Sequence, residues 1–193
     1  MSRRAFLIRS AYSIALAAAL SFLTLSCGPT RDAHDGIAFG AEVTWDSLGL
    51  MFDGKRVVPA MGEIHFSRVP SEEWSREIRK MKEGGLSFVA SYVFWNHFEE
   101  VEGEFDWSGQ RNLRHFLEIC RDENMPVVLR IGPFCHGEAR NGGFPDWIFS
   151  KDCEVRSEDP AFLEYVRRFY KEIYSQAEGL QWKDGGLCLR QDS

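Results

Sequence analysis

Between Arg130 and Glu138 the sequence reads Arg-Ile-Gly-Pro-Phe-Cys-His-Gly-Glu, a loop too dense in Gly, His and Glu to be core. Gly132 and Gly137 let backbone approach a ligand closely. The Glu138 carboxylate could accept two hydroxyl hydrogen bonds from one sugar, a geometry that carboxylates offer. The competing role for Glu138 is a structural ion pair with Arg130 or Arg140. A second run, Tyr92-Val93-Phe94-Trp95-Asn96-His97-Phe98-Glu99-Glu100, offers a phenol at Tyr92 that could donate to a sugar. Trp95 could wall a pocket and Asn96 could anchor the loop, although Phe94 and Trp95 weigh toward the core. His65, His97 and His136 follow strand ends, but they have no close ligand spacing and no paired carboxylate, so no metal site is expected.

These residues need a scaffold. Val57–Phe66, Ser87–Trp95 and Pro126–Ile131 are β-rich runs, and each leads into a helical pattern. The first helix is expected from an N-cap at Ser71, with Trp74, Ile78 and Met81 on one stripe and Gly84-Gly85 as its stop. The second begins near Ser108 and buries Leu113, Phe116, Leu117 and Cys120. The third is capped by Asp159 with Pro160 at its first position, and buries Phe162, Val166, Phe169, Tyr170 and Ile173. Strand and helix in alternation mean parallel strands with right-handed crossovers. An open doubly wound sheet and a (β/α)8 barrel both do this. No Gly-x-Gly-x-x-Gly follows the first strand, which weakens dinucleotide binding. In a barrel, chemistry gathers past the C-terminal strand ends, where the polar runs above fall.

The 193-residue chain is 44% apolar and 27% charged, which is globular rather than disordered. With a formal charge of −6 and no Lys/Arg-rich run it has no footprint for nucleic acid. Fifteen Phe, six Trp and five Tyr suit sugar stacking and suit a large core equally. At the N-terminus, Arg3, Arg4 and Arg9 precede an apolar stretch from Ala11 to Leu25, short for a membrane span. Ser26-Cys27 then resembles a lipobox, and Ser2-Arg3-Arg4 a twin-arginine export signal. Residues 1–26 are therefore expected to be a signal peptide and 27–41 a lipidated Cys27 with a flexible tether. The protein would be an exported, membrane-anchored lipoprotein, periplasmic or on the cell surface; the alternative is an ordinary cleaved signal. Cys120, Cys135, Cys153 and Cys188 form no Cys-x-x-Cys pair, so zinc is not expected, and export permits disulfides that sequence cannot pair.

Several runs together resemble family 35 glycoside hydrolases, mostly β-galactosidases. They are Gly62-Glu63-Ile64-His65-Phe66-Ser67-Arg68-Val69-Pro70, Tyr92 to Asn96, Gly103-Glu104-Phe105-Asp106-Trp107, Arg130 to Phe134, Gly142-Gly143-Phe144-Pro145 and Asp159-Pro160. The resemblance implies a (β/α)8 catalytic barrel, of which residues 42–186 would form roughly the first three βα units. It also implies retaining hydrolysis of terminal β-linked galactose, β-galactoside glycans as partners, two catalytic glutamates and no cofactor. Tyr92 and Glu138 match family positions that hold galactose hydroxyls, and the Gly137 backbone neighbours them. Two departures stand out. The family's Trp-Asn-x-His-Glu-Pro is Trp95-Asn96-His97-Phe98-Glu99-Glu100 here, and its Cys-Ala-Glu-Trp is His136-Gly137-Glu138-Ala139. The family's fourth strand, which ends in the acid/base glutamate, would follow Gly185-Gly186. Instead residues 187–193 lose the pattern, so both catalytic glutamates are expected to lie beyond Ser193 and the chain as given to be inactive. The alternatives are a non-catalytic glycan-binding surface lipoprotein and a barrel glycosidase of different sugar specificity.

Overall fold

A computed structural model describes residues 37, 39–182 and 188–191. The expected signal peptide, Cys27 and most of the expected tether lie outside them.

The central layer is a four-stranded parallel sheet ordered β4 (Met61–Glu63), β5 (Phe88–Tyr92), β6 (Val127–Arg130) and β7 (Cys188–Gln191). Helices α1 (Trp74–Glu83), α3 (Leu113–Asp122) and α4 (Pro160–Ala177) make the crossovers; α2 is the single turn Trp95–Phe98. The fourth strand was not expected. Residues 188–191 carry no obvious periodicity, yet their backbone pairs with β6 from Val127↔Cys188 to Arg130↔Gln191.

Side-chain alternation along the strands separates two faces. Val89, Val93, Val127, Leu129 and Ile131 share one core with Ile78 of α1, Leu117 of α3 and Phe169 of α4. All three long helices thus cover the same face, as in a barrel wall; a doubly wound sheet would place helices on both. Phe88, Tyr92 and Arg130 belong to the other face. There Phe88 packs with Phe52, Ile37 and Ala41, so two residues of the stretch read as tether are buried in a small second core.

Phe52 arrives on an antiparallel meander: β1 (Val43–Asp46), β2 (Gly49–Phe52) and β3 (Lys55–Val57). Asp53 (φ 49°) and Gly54 (φ 72°) make the tight β2–β3 turn, both left-handed as such hairpins require. This meander corrects the expected first strand, Val57–Phe66. Pro59 has no N–H to donate, so pairing stops at Val57 and resumes at Met61 in the other sheet.

Two helix starts also move. Ser71 begins a 3₁₀ turn, Ser71–Glu73, and makes no side-chain cap. Ser108 likewise precedes a 3₁₀ turn, and the cap of α3 is Asn112, which accepts from the His115 N–H at 2.9 Å. The α4 cap is as expected: Asp159 accepts from the Ala161 N–H at 2.8 Å, with Pro160 behind it. Gly85, at φ 87°, supplies the left-handed step after α1.

Candidate functional site

The polar groups of the uncovered face collect at the C-terminal strand ends. Tyr92 ends β5 and stands in register with Arg130 at the end of β6. The Arg130 guanidinium lies 3.9 Å over the Tyr92 ring and donates to Glu63, at the end of β4, at 2.8 Å. Three adjacent strands therefore contribute one group each. The Tyr92 ring is buried, yet its hydroxyl makes no hydrogen bond among the described residues.

Glu138 is exposed and has a left-handed backbone, φ 50°, rare for a non-glycine residue. The two arginines proposed as structural partners are taken: Arg130 pairs with Glu63 and Arg140 with Asp146. Glu138 has neither ion pair nor hydrogen bond among the described residues, which overturns the structural ion-pair reading. Its acceptors are available to a ligand.

Gly137 joins this pair. A Cβ built on it would lie 2.7 Å from the Phe94 ring and 3.4 Å from the Tyr92 ring. The loop can approach the β5 end because position 137 has no side chain. Gly137→Ala is expected to cost about 1–3 kcal/mol through overpacking. Urea unfolding measures it, and a compensating Phe94→Leu should restore most of the loss. Unchanged stability in Gly137→Ala would show that the contact is loose.

Other candidates separate. Trp95 is fully buried and stacks flat on Phe169 at 4.8 Å, so it is core and walls no pocket. Asn96 does anchor the loop, donating to the Arg140 carbonyl at 3.4 Å. His65 sits 3.5 Å from Glu63, His97 bonds the Ser67 hydroxyl at 2.9 Å, and His136 is exposed beside Phe134. Among the described residues no group of three His, Cys, Asp or Glu is arranged to hold a metal ion. Among the described residues Cys135 and Cys153 are free thiols, and burial raises Cys135 to about 12, which keeps it neutral and unreactive.

Burial pushes His65 and His97 below the ordinary histidine value. Glu63 opposes the shift at His65, while Arg68 and Arg130 add to it; at His97, Arg68, Arg111 and His65 add to it. A base with a depressed folded-state value binds fewer protons folded than unfolded. Its contribution is therefore intact above the unfolded value of about 6.5 and is lost as pH falls below it. The urea midpoint is expected to drop between pH 7.5 and 5.5, and less so in His97→Gln. A flat profile would contradict this.

A cleft of about 620 Å³ opens beside Tyr92, between the 132–136 loop and α4. Its lining includes Arg130, Phe134, His136, Arg156 and Tyr170, and the Arg156 guanidinium stacks 3.9 Å over Phe134. Neither Arg156 nor the Glu63–Arg130 pair, whose members lie 67 residues apart in sequence, was singled out by motif reasoning. The spacing of non-local partners carries no local signal.

Comparison with known proteins gives a consistent result. The family model for glycosyl hydrolases family 35 matches residues 49–191. Beta-galactosidase 7 of Oryza sativa subsp. japonica is 34% identical over 153 residues, 78% of this chain and 20% of the relative. An exo-beta-D-glucosaminidase of Pyrococcus horikoshii is 32% identical over 172 residues, 78% and 22% of the two chains. This chain thus spans about a fifth of the length of the curated relatives it matches. Among solved structures, the exo-beta-1,4-mannosidase of Opitutaceae bacterium strain TAV5 superposes with TM-score 0.53 at 19% identity, covering 80% of this chain and 26% of that one. Sequence and structure together give a TIM-barrel-like glycosidase fold.

Proposed function

The chain belongs to glycosyl hydrolase family 35, and from that premise we propose that it forms the sugar-holding flank of a retaining β-galactosidase barrel. The observation that carries the reading is the pair Tyr92 and Glu138. Tyr92 ends β5 and Glu138 lies in the loop that follows β6, directly after the Gly137 that packs near the Tyr92 ring, and neither polar group is spent within the described residues. The carboxylate would accept hydroxyl hydrogen bonds of a terminal galactose, the phenol would donate one, and the Gly137 backbone would let the ring approach. Retaining hydrolysis needs two carboxyls about 5–5.5 Å apart, one as acid/base and one as nucleophile. Family correspondence assigns neither role to Glu63 or Glu138, and Glu63 is engaged by Arg130. The role of this chain is thus recognition, with acid/base and nucleophile supplied by glutamates outside it. A chromogenic galactoside should not be turned over by the 193 residues alone.

A different sugar specificity is the second reading. Ala139 stands where the family usually has a Trp, and one relative carries the name of a glucosaminidase. Titrating the chain with galactose, glucosamine and mannose separates the two. Tightest binding of galactose is expected; preference for glucosamine or mannose moves the assignment to the second reading, and no binding by any of them removes both.

We also propose that Cys27 is lipidated and anchors an exported protein, since a small residue precedes it after an apolar stretch. Mass spectrometry of the mature N-terminus should find a diacylglyceryl-modified Cys27. An unmodified cysteine, or cleavage elsewhere, ends this proposal.

A further inference from the structure

We propose that Arg68 is a positioning residue for the sugar site: its guanidinium clamps the Gly137–Glu138 peptide so that the Glu138 carboxylate faces the ligand. The inference rests on the reading of Glu138 given above.

Arg68 closes the 3₁₀ turn Phe66–Arg68 just past β4, on a different element from the loop it holds. Its Nη1 donates to the Gly137 carbonyl at 2.9 Å, and its guanidinium lies 4.3 Å from the centre of the Phe94 ring. Gly137 packs on that same ring, close enough that no Cβ fits. Phe94 is fully buried, so it gives both partners a fixed surface. The Gly137 carbonyl belongs to the peptide plane that also carries the Glu138 N–H. Holding that oxygen fixes the plane about which the φ of Glu138 turns. The restraint is needed because Glu138 keeps φ 50° with no side-chain partner of its own. A lysine would keep the charge but neither the flat stacking nor the directed fork of donors.

The test uses the full chain and two readouts. Hydrogen exchange followed by mass spectrometry reports the 134–141 segment, with α3 as an internal reference; titration reports galactose affinity. Arg68 is exposed, so Arg68→Ala should leave the fold intact. In that variant, exchange of 134–141 is expected to quicken and galactose affinity to fall, each about tenfold, the loss of one charge-assisted hydrogen bond. Exchange in α3 should stay unchanged, and Arg68→Lys should recover little of either effect. Unchanged exchange in 134–141 overturns the proposal, as does equal acceleration in α3, which would mean general destabilisation. A fall in affinity with an unaltered loop also overturns it, because Arg68 would then contact the sugar directly. If the wild-type chain binds no galactose while Arg68→Ala loosens the loop, the sugar reading of Glu138 falls and the clamp stands.

Discussion

Glu138→Gln is expected to reduce galactose affinity by at least tenfold while leaving the unfolding midpoint where it was. A hydrogen bond to a charged acceptor contributes about 1.5–3 kcal/mol, and 1.4 kcal/mol is a factor of ten. If the carboxylate accepts two hydroxyls, the loss exceeds a hundredfold on the same basis. Stability should not change, because Glu138 has no ion pair or hydrogen bond among the described residues to lose. Tyr92→Phe removes a neutral donor, about 0.5–1.5 kcal/mol, so its effect on affinity should be smaller. Glu138→Gly makes a sharper control. It relieves a left-handed φ of 50°, and so should raise stability by a few tenths to about 1 kcal/mol while abolishing binding. Calorimetric titration and urea unfolding on the same four proteins read both quantities. Wild-type affinity in Glu138→Gln would mean that this carboxylate meets no sugar.

What the sequence revealed, and what it hid, follows the range of the interactions involved. The α4 start was legible because an Asp159 cap and a Pro160 first position act within three residues. The helix stripes were legible too, since Trp74, Ile78, Phe162 and Phe169 repeat at helical spacing and all end up buried. Ser71 and Ser108 misled because one begins and the other precedes a 3₁₀ turn, which uses the same residue types and shifts the α-helix by three residues or more. The meander had a visible Asp53-Gly54 turn signal, but its short strands are half exposed and alternate weakly. The backbone of residues 188–191 pairs with a strand about sixty residues earlier, and their sequence carries no local signal of that partner. At the site, Tyr92, Gly137 and Glu138 could be named from motifs. The ion pair of Arg130 with Glu63 and the reach of Arg68 to Gly137 could not, because the tertiary fold creates both. The same contrast decided the competing role of Glu138: sequence offered it Arg130 and Arg140, and the fold gave each of these another carboxylate.

Glu99→Ala is expected to be the most destabilising single change in this region, at about 3–5 kcal/mol, the cost of breaking a buried ion pair. Glu99 has no exposed surface. One carboxylate oxygen accepts from the Trp95 indole at 2.6 Å; the other accepts from the Gly103 N–H at 2.7 Å and pairs with Arg168 of α4. Its backbone carbonyl also accepts from the Trp147 indole at 2.9 Å. The residue therefore ties α2, which carries Asn96, to the 99–103 turn and to α4. Truncation would leave the Trp95 N–H and the Gly103 N–H without an acceptor and Arg168 without its counter-charge. Domains of this size are stable by about 5–15 kcal/mol in all, so such a loss takes a large part of the total. Glu99→Gln keeps one acceptor and should cost less than Glu99→Ala, whereas Arg168→Met should remain strongly destabilising, because it leaves the fully buried carboxylate without its counter-charge. The exposed pair Arg140–Asp146 provides the contrast: Arg140→Ala should change stability by no more than about 1 kcal/mol. Urea unfolding of these variants sets the order. If Glu99→Ala and Arg140→Ala cost the same, burial of the Glu99 carboxylate does not control the packing of α2 on α4.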